Sequence, residues 1–273
     1  MLATNYRCPR DVVEASGRIV AVNRERFVKP IRPPASLAPD PDSIGAVNSA
    51  DPAWTDVGVR LAATADREGR TLCFLARTRG ELVPVMLAVV RAGIRHATSL
   101  PAFVEAEPVL ALVDGMRGGT TDAPFHAIRR LRAARGWTGG TEKGDELGDD
   151  DHAAIDALLG WALRADATDA FVAAFDTARA RIAALRDPGA AVELATVHGS
   201  KGREWETVVL VGFEAERMPN ARSLADAVDP ARALEEERRL AYVALTRATR
   251  RLILGFDPAR PSPFLAEMGL RVG

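Results

Sequence analysis

Residues 192–212 read VELATVHGSKGREWETVVLVG, and this stretch decides the fold. Two apolar runs, Val192–Ala195 and Val208–Val211, are rich in Val and Leu and long enough only for strands. Such runs are written for strands covered on both faces, the pattern of a parallel α/β sheet. Between them lies a polar turn, Thr196-Val197-His198-Gly199-Ser200-Lys201-Gly202-Arg203-Glu204, with two glycines, a histidine, a lysine and a carboxylate. In an open α/β sheet ligands bind beyond the carboxyl ends of the strands, so this loop is the first candidate site. Glycines let a backbone approach a phosphate, and Lys201 offers it a point charge. The nucleotide-cradling pattern G-x-x-x-x-G-K-[ST] is absent from the whole chain, so HGSKG taken alone reads equally well as a surface turn without a ligand.

Upstream, the same grammar repeats. Asp11–Val22 carries apolar residues at helical spacing, and Pro30 to Pro52, with six prolines among polar residues, predicts an irregular connection. Val57–Arg67 reads as a helix, Thr71–Ala76 as a strand, and Glu81–Ala92 as a helix that Gly93 ends. Ile94–Thr98 reads as a short strand and Ala106–Met116 as a helix. From Arg117 to about Gly189 no strand is expected, only helices over Phe125–Arg135, Ala153–Ala165 and Ala170–Arg186, so this span is read as a helical insertion. Within it, Gly139–Asp151 is rich in glycine and acids and reads as a solvated, mobile loop rather than a metal site. Downstream come a helix from Leu234 to Ala248, a strand at Arg251–Phe256, and the closing Pro261–Gly269.

The chain has 273 residues, 47% hydrophobic and 27% charged, with a net charge of -1. It is no polycation, so any nucleic-acid surface must come from local clusters of arginine. Lys29, Lys143 and Lys201 are its only lysines. Cys8 and Cys73 have no metal-ligand spacing, which implies a reduced, cytoplasmic protein with no metal site of its own. No apolar run reaches the roughly 20 residues of a membrane span, and no signal peptide opens the chain. His96, His126 and His152 fall in unrelated contexts, expected at the surface, and offer no catalytic constellation for a metabolic α/β enzyme.

Two further stretches bear on a site. Leu234–Thr249 reads LEEERRLAYVALTRAT. Its opening acids, Glu235 to Glu237, suit the positive end of a helix dipole, and Leu240, Val243 and Ala244 share the face expected against the sheet. Arg247, near the end, either caps the last carbonyls or aims at a phosphate in a cleft. The chain's two tyrosines, Tyr6 and Tyr242, both fall in such polar stretches. A tyrosine face can stack on a base, and Arg7 beside Tyr6 can clamp phosphate oxygens.

Together these segments resemble the C-terminal half of the UvrD/PcrA/Rep helicase family, in helicase superfamily one. LATNYR at Leu2–Arg7 is similar to that family's motif IV. LARTRGE at Leu75–Glu81, with AGIRHATSLPAFVEAEPV at Ala92–Val109, follows its next segment. LATVHGSKGREW at Leu194–Trp205 resembles motif V, EEERRLAYVALTRA at Glu235–Ala248 resembles motif VI, and PSPFLAEM at Pro261–Met268 resembles the closing helix. Arg203 departs from the pattern, standing where the family usually has leucine, and the insertion is shorter than in larger members.

The resemblance implies an α/β fold: a RecA-like parallel sheet flanked by helices, residues 1–116 with 190–273, carrying an inserted all-helical subdomain over 117–189. It implies the second lobe of an ATP-dependent 3′→5′ DNA helicase or translocase, with single-stranded or duplex DNA as partner. ATP and its Mg2+ would be held chiefly by a P-loop-containing N-terminal lobe, part of the same full-length chain or separate from it. Carried over by position, Tyr6 would stack on adenine, and Arg7 and Arg247 would reach the γ-phosphate. Glu204 would contact the ribose or couple nucleotide to DNA, while Thr196, His198 and Lys201 would face the DNA strand. Met1 falls within motif IV, so the chain is expected to be a truncated gene product or an engineered fragment, and inactive alone. The alternative is a stand-alone, non-catalytic nucleic-acid or protein-binding module built on a helicase lobe.

Overall fold

The computed structural model of the protein describes residues 4–25, 31–98, 103–119, 122–137 and 147–270. Leu2 and Ala3 of the first motif, Lys29, Lys143 and most of the acidic stretch 139–151 lie outside the described residues. Its strands are β1 (Ile44–Asn48), β2 (Leu72–Ala76), β3 (Ala97–Thr98), β4 (Val192–Thr196), β5 (Trp205–Val211) and β6 (Ala248–Phe256). They form one sheet in the order β1-β6-β5-β2-β4-β3, parallel at every pairing. The helices are α1 (Arg10–Ala21), α2 (Trp54–Glu68), α3 (Arg79–Arg91), α4 (Glu107–Asp114), α5 (Pro124–Ala134), α6 (Asp149–Ala162), α7 (Thr168–Leu185), α8 (Ala221–Ala225), α9 (Pro230–Leu245) and α10 (Pro263–Glu267).

Burial on both sides explains the apolar runs. Every residue of β2 and β4 is buried. Along β2, Leu72, Phe74 and Ala76 face one core with Val85 and Val89 of α3, while Cys73 and Leu75 face a second with Val12 and Ile19 of α1 and Ala241 and Ala244 of α9. The first core extends without a break into the helices between α3 and β4: Ile155 and Leu158 of α6 and Phe175 of α7 belong to it. Trp161 of α6 meets Phe171 of α7 edge-on, with ring centroids 5.3 Å apart.

Five expectations change. The proline-rich connection over 30–52 contains β1, an edge strand that pairs with β6 from Ile44↔Leu252 to Asn48↔Phe256. The helix expected from Leu234 begins a turn earlier, at Pro230, where the Asp229 side chain accepts hydrogen bonds from the Ala231 and Arg232 backbone N–H groups at 3.0 and 3.1 Å. The acids after it therefore do not serve the helix start. Glu235 and Glu237 are buried, Glu235 accepting from the Arg24 N–H at 2.8 Å and Glu237 from the Arg77 guanidinium, also at 2.8 Å. The face of α9 turned to the core is Ala241, Ala244 and Leu245, with Leu240 and Val243 at its margin. Finally, of His96, His126 and His152, the first and last are buried rather than superficial, and His126 is exposed. Burial holds the His96 imidazole below its ordinary pKa, with the Arg186 charge adding to the effect.

Candidate functional site

Strand order determines where the 196–204 loop leads. Thr196 pairs with Ala76, which pairs with Val211, so Thr196 ends β4 at the carboxyl edge of the sheet. Glu204 precedes Trp205, which pairs with Ala248 at the amino edge. Because β2 lies between β4 and β5, residues 197–204 run back the length of a strand, about 15 Å at ~3.3 Å per residue. The expected position beyond the carboxyl ends thus holds for Thr196 and the single 3₁₀ turn at His198–Ser200, while Glu204 lies at the opposite edge.

At the carboxyl edge, His198 and Lys201 are exposed. Thr196 is buried, and its hydroxyl accepts from the Gly199 N–H at 3.3 Å, capping the 3₁₀ turn.

At the amino edge, Arg7, Glu204 and Arg247 come together. Arg7 Nε lies 2.5 Å from Glu204 Oε2, both side chains about half exposed. Arg247 Nε donates to the Val243 carbonyl at 3.1 Å and its Nη1 to the Arg203 carbonyl at 3.0 Å. The capping reading of Arg247 is therefore correct in part: one N–H caps α9, a second ties the guanidinium to the residue before Glu204. The Trp205 N–H closes the circuit by donating to the Arg247 carbonyl at 3.0 Å. Burial and the neighbouring positive charge of Arg7 lower the pKa of Arg247.

The segment that carries Arg7 is tied down locally. The Asn5 side chain accepts from the Arg7 and Cys8 N–H groups at 2.8 and 3.1 Å, a turn that fixes where Arg7 starts. The Cys8 thiol donates to the Thr246 carbonyl at 3.3 Å, joining this turn to the end of α9. Burial raises the pKa of the Cys8 thiol, which is thus a packing group here rather than a nucleophile. Tyr6 projects from the same turn, 77% exposed, and Tyr242 stands half-buried beside Arg247, its phenol pushed up by burial.

Sequence reasoning singled out Tyr6, Arg7, Glu204 and Arg247, and it missed the groups that hold them: Asn5, Cys8 and Glu193. Asn5 carried a signal, since asparagine two residues ahead of a polar position is a common turn former. Glu193 carried none, being one carboxylate in an apolar strand. Among the described residues no group of three or more His, Cys, Asp and Glu could hold a metal ion, and no helix is long and apolar enough to cross a membrane.

Known proteins resemble this chain most over its last third. The model of the UvrD-like helicase C-terminal domain matches residues 175–257. DNA helicase II of Haemophilus influenzae is 41% identical over 87 residues, 28% of this chain and 11% of that protein. The ATP-dependent DNA helicase UvrD1 of Mycobacterium leprae is 46% identical over 71 residues, 26% of this chain and 9% of that protein. The ATP-dependent DNA helicase PcrA of Bacillus subtilis is 45% identical over 64 residues, 23% and 8% of the two chains. The match thus spans about a tenth of the length of these relatives. A solved C-terminal domain of a possible DNA helicase from Lactobacillus plantarum covers 97% of this chain at 14% identity with a TM-score of 0.44. The residues matched by the model of the UvrD-like helicase C-terminal domain, 175–257, are those that supply β4, β5, β6, the return loop and the helix ahead of Arg247.

Proposed function

We propose that this chain is the second RecA-like lobe of an ATP-dependent 3′→5′ DNA helicase or translocase, and that its amino-edge arginines serve a nucleotide held by a P-loop lobe. The observation that carries the reading is the convergence of Arg7 and Arg247 on one rim beside Glu204, although they are 240 residues apart in sequence. The rim suits a phosphate. An exposed Arg–Glu pair contributes only about 0–1 kcal/mol, so a polyphosphate can displace Glu204 from Arg7 at small cost. ATP bound on the first lobe would supply the γ-phosphoryl group and, with Mg2+, most of the charge to be neutralised. Arg7 and Arg247 would face that charge from this side, and arginine fingers are worth roughly 10³–10⁵ in rate. Tyr6, exposed on the same turn as Arg7, would stack on the base, an interaction worth about 1–3 kcal/mol for nucleobases generally. Exposed His198 and Lys201, with Thr196 shaping their turn, would meet the DNA strand at the other edge.

The test is reconstitution. The purified chain alone should hydrolyse no ATP. Mixed with the P-loop lobe of a UvrD-family helicase, it should restore DNA-stimulated hydrolysis, and Arg247→Ala should remove roughly 10³-fold or more of that rate. Turnover by the chain alone, or no rescue, would overturn the proposal, the latter favouring a non-catalytic binding module.

A further inference from the structure

β4 contributes four residues that a buried strand should have and one it should not. Glu193 is 4% exposed in a strand whose other side chains are Val192, Leu194, Ala195 and Thr196. A buried carboxylate survives only when it is paired and hydrogen-bonded. Its partners are the last part of the return loop and the first residue of β5: the Arg203 guanidinium is ion-paired with Oε1 and donates from Nη2 to Oε2 at 2.5 Å, and the Trp205 indole Nε1 donates to Oε2 at 3.0 Å. The Arg203 guanidinium also lies over the Trp205 ring, 5.3 Å from its centroid. One buried group therefore grips residues 203 and 205.

What lies between and beside those two residues is the arginine site. The Arg203 carbonyl accepts from Arg247 Nη1 at 3.0 Å, the Glu204 carboxylate holds Arg7, and the Trp205 N–H donates to the Arg247 carbonyl at 3.0 Å. Three consecutive residues thus contact the two arginines, and the outer two share an anchor in a side chain on a strand two positions away in the sheet. We propose that Glu193 is a positioning residue: by clamping Arg203 and Trp205 it fixes the Arg203 carbonyl and so aims the Arg247 guanidinium. Only the consequence for phosphate affinity rests on the nucleotide reading above.

The test uses the full chain, 15N-labelled, with the Arg247 side-chain signals assigned by their loss in Arg247→Lys. Glu193→Gln removes the charge yet keeps an acceptor for Trp205, so the fold persists. In this variant the Arg247 Nη hydrogens should exchange with water about tenfold faster, the equivalent of one lost hydrogen bond. Those of Arg77, held by Glu237 at the other edge, should not change. Trp205→Phe, which leaves Arg203 on Glu193, should give a smaller change. Unchanged exchange at Arg247, or equal acceleration at Arg77, would overturn the proposal and reduce Glu193 to a fold-stabilising group. In a titration with inorganic tripolyphosphate, Glu193→Gln should weaken binding about threefold to tenfold, with no further loss in an Arg247→Ala background, since groups acting through one another are non-additive. Equal losses in both backgrounds would refute the positioning role. A wild-type chain that ignores tripolyphosphate would sink the nucleotide reading and leave the exchange experiment to decide this one.

Discussion

Two arginine–carboxylate pairs of identical chemistry sit here in opposite surroundings. In the pair of Arg7 with Glu204 the side chains are 50% and 49% exposed. In the pair of Arg77 with Glu237 they are 15% and 3% exposed, and Glu237 accepts in addition from the Asn220 N–H at 3.0 Å. Water screens the first and is excluded from the second, so their removal should differ sharply. Glu204→Ala should cost under about 1 kcal/mol in urea denaturation. Glu237→Ala leaves the mostly enclosed Arg77 guanidinium without its counter-charge, with only the Ser223 hydroxyl to accept from it, and should cost about 3 kcal/mol. Equal costs would mean that the rim is more enclosed than its exposure indicates. The contrast also separates purposes: a pair that costs little to open suits exchange with an incoming anion, and a buried one suits holding α9 to the end of β2.

The start of α3 offers a test with pH. Glu81 accepts from the Arg77 and Thr78 N–H groups at 3.0 and 3.3 Å, and burial pushes its pKa from 4.5 to about 7. Between those values the folded chain keeps a proton that the unfolded chain releases. Glu81 therefore contributes stability that is fully present below pH 4.5 and lost as pH rises through about 7, up to about 3 kcal/mol. Glu81→Gln should remove that fall, measured as the difference between variant and wild-type melting curves across the window. The comparison must be a difference, because buried His96 works in the opposite sense.

How legible each element was follows from its surroundings. β2, β4 and β5 announced themselves because burial on both faces admits few polar residues. β1 stayed hidden: IGAVN is short, contains a glycine, is incompletely buried at the sheet edge and sits among prolines. Its partner is some 200 residues away, beyond any local pattern. The arginine rim was half legible. Tyr6, Arg7, Glu204 and Arg247 stood out as residue types in polar stretches, but the edge they occupy depends on β2 intervening between β4 and β5, which spacing along the chain cannot express. The grip of Glu193 on Arg203 and Trp205 is likewise a fact of the folded loop.

Across the molecule, the helices from α4 to α7 share a continuous core with α2, α3 and the sheet. They should therefore not melt independently. Leu158→Ala, at a fully buried position of α6, should cost about 2–5 kcal/mol and lower one transition seen alike by calorimetry and by far-ultraviolet circular dichroism. A split into two transitions, only one of them moved, would show the helices to be a separate cooperative unit.

β6 lies between β1 and β5, so the first strand to be synthesised waits for the last before it gains a neighbour. On the ribosome, residues 44–48 would stay an unclaimed edge while some 200 further residues are added, sheltered only once residue 256 clears the exit tunnel. A polypeptide ending ahead of 248 should therefore emerge with both β1 and the outer side of β5 open, and be recovered in aggregates or in the grip of chaperones. The arginine rim, whose two halves are encoded at positions 7 and 247, would come into being only after residue 247 has been added.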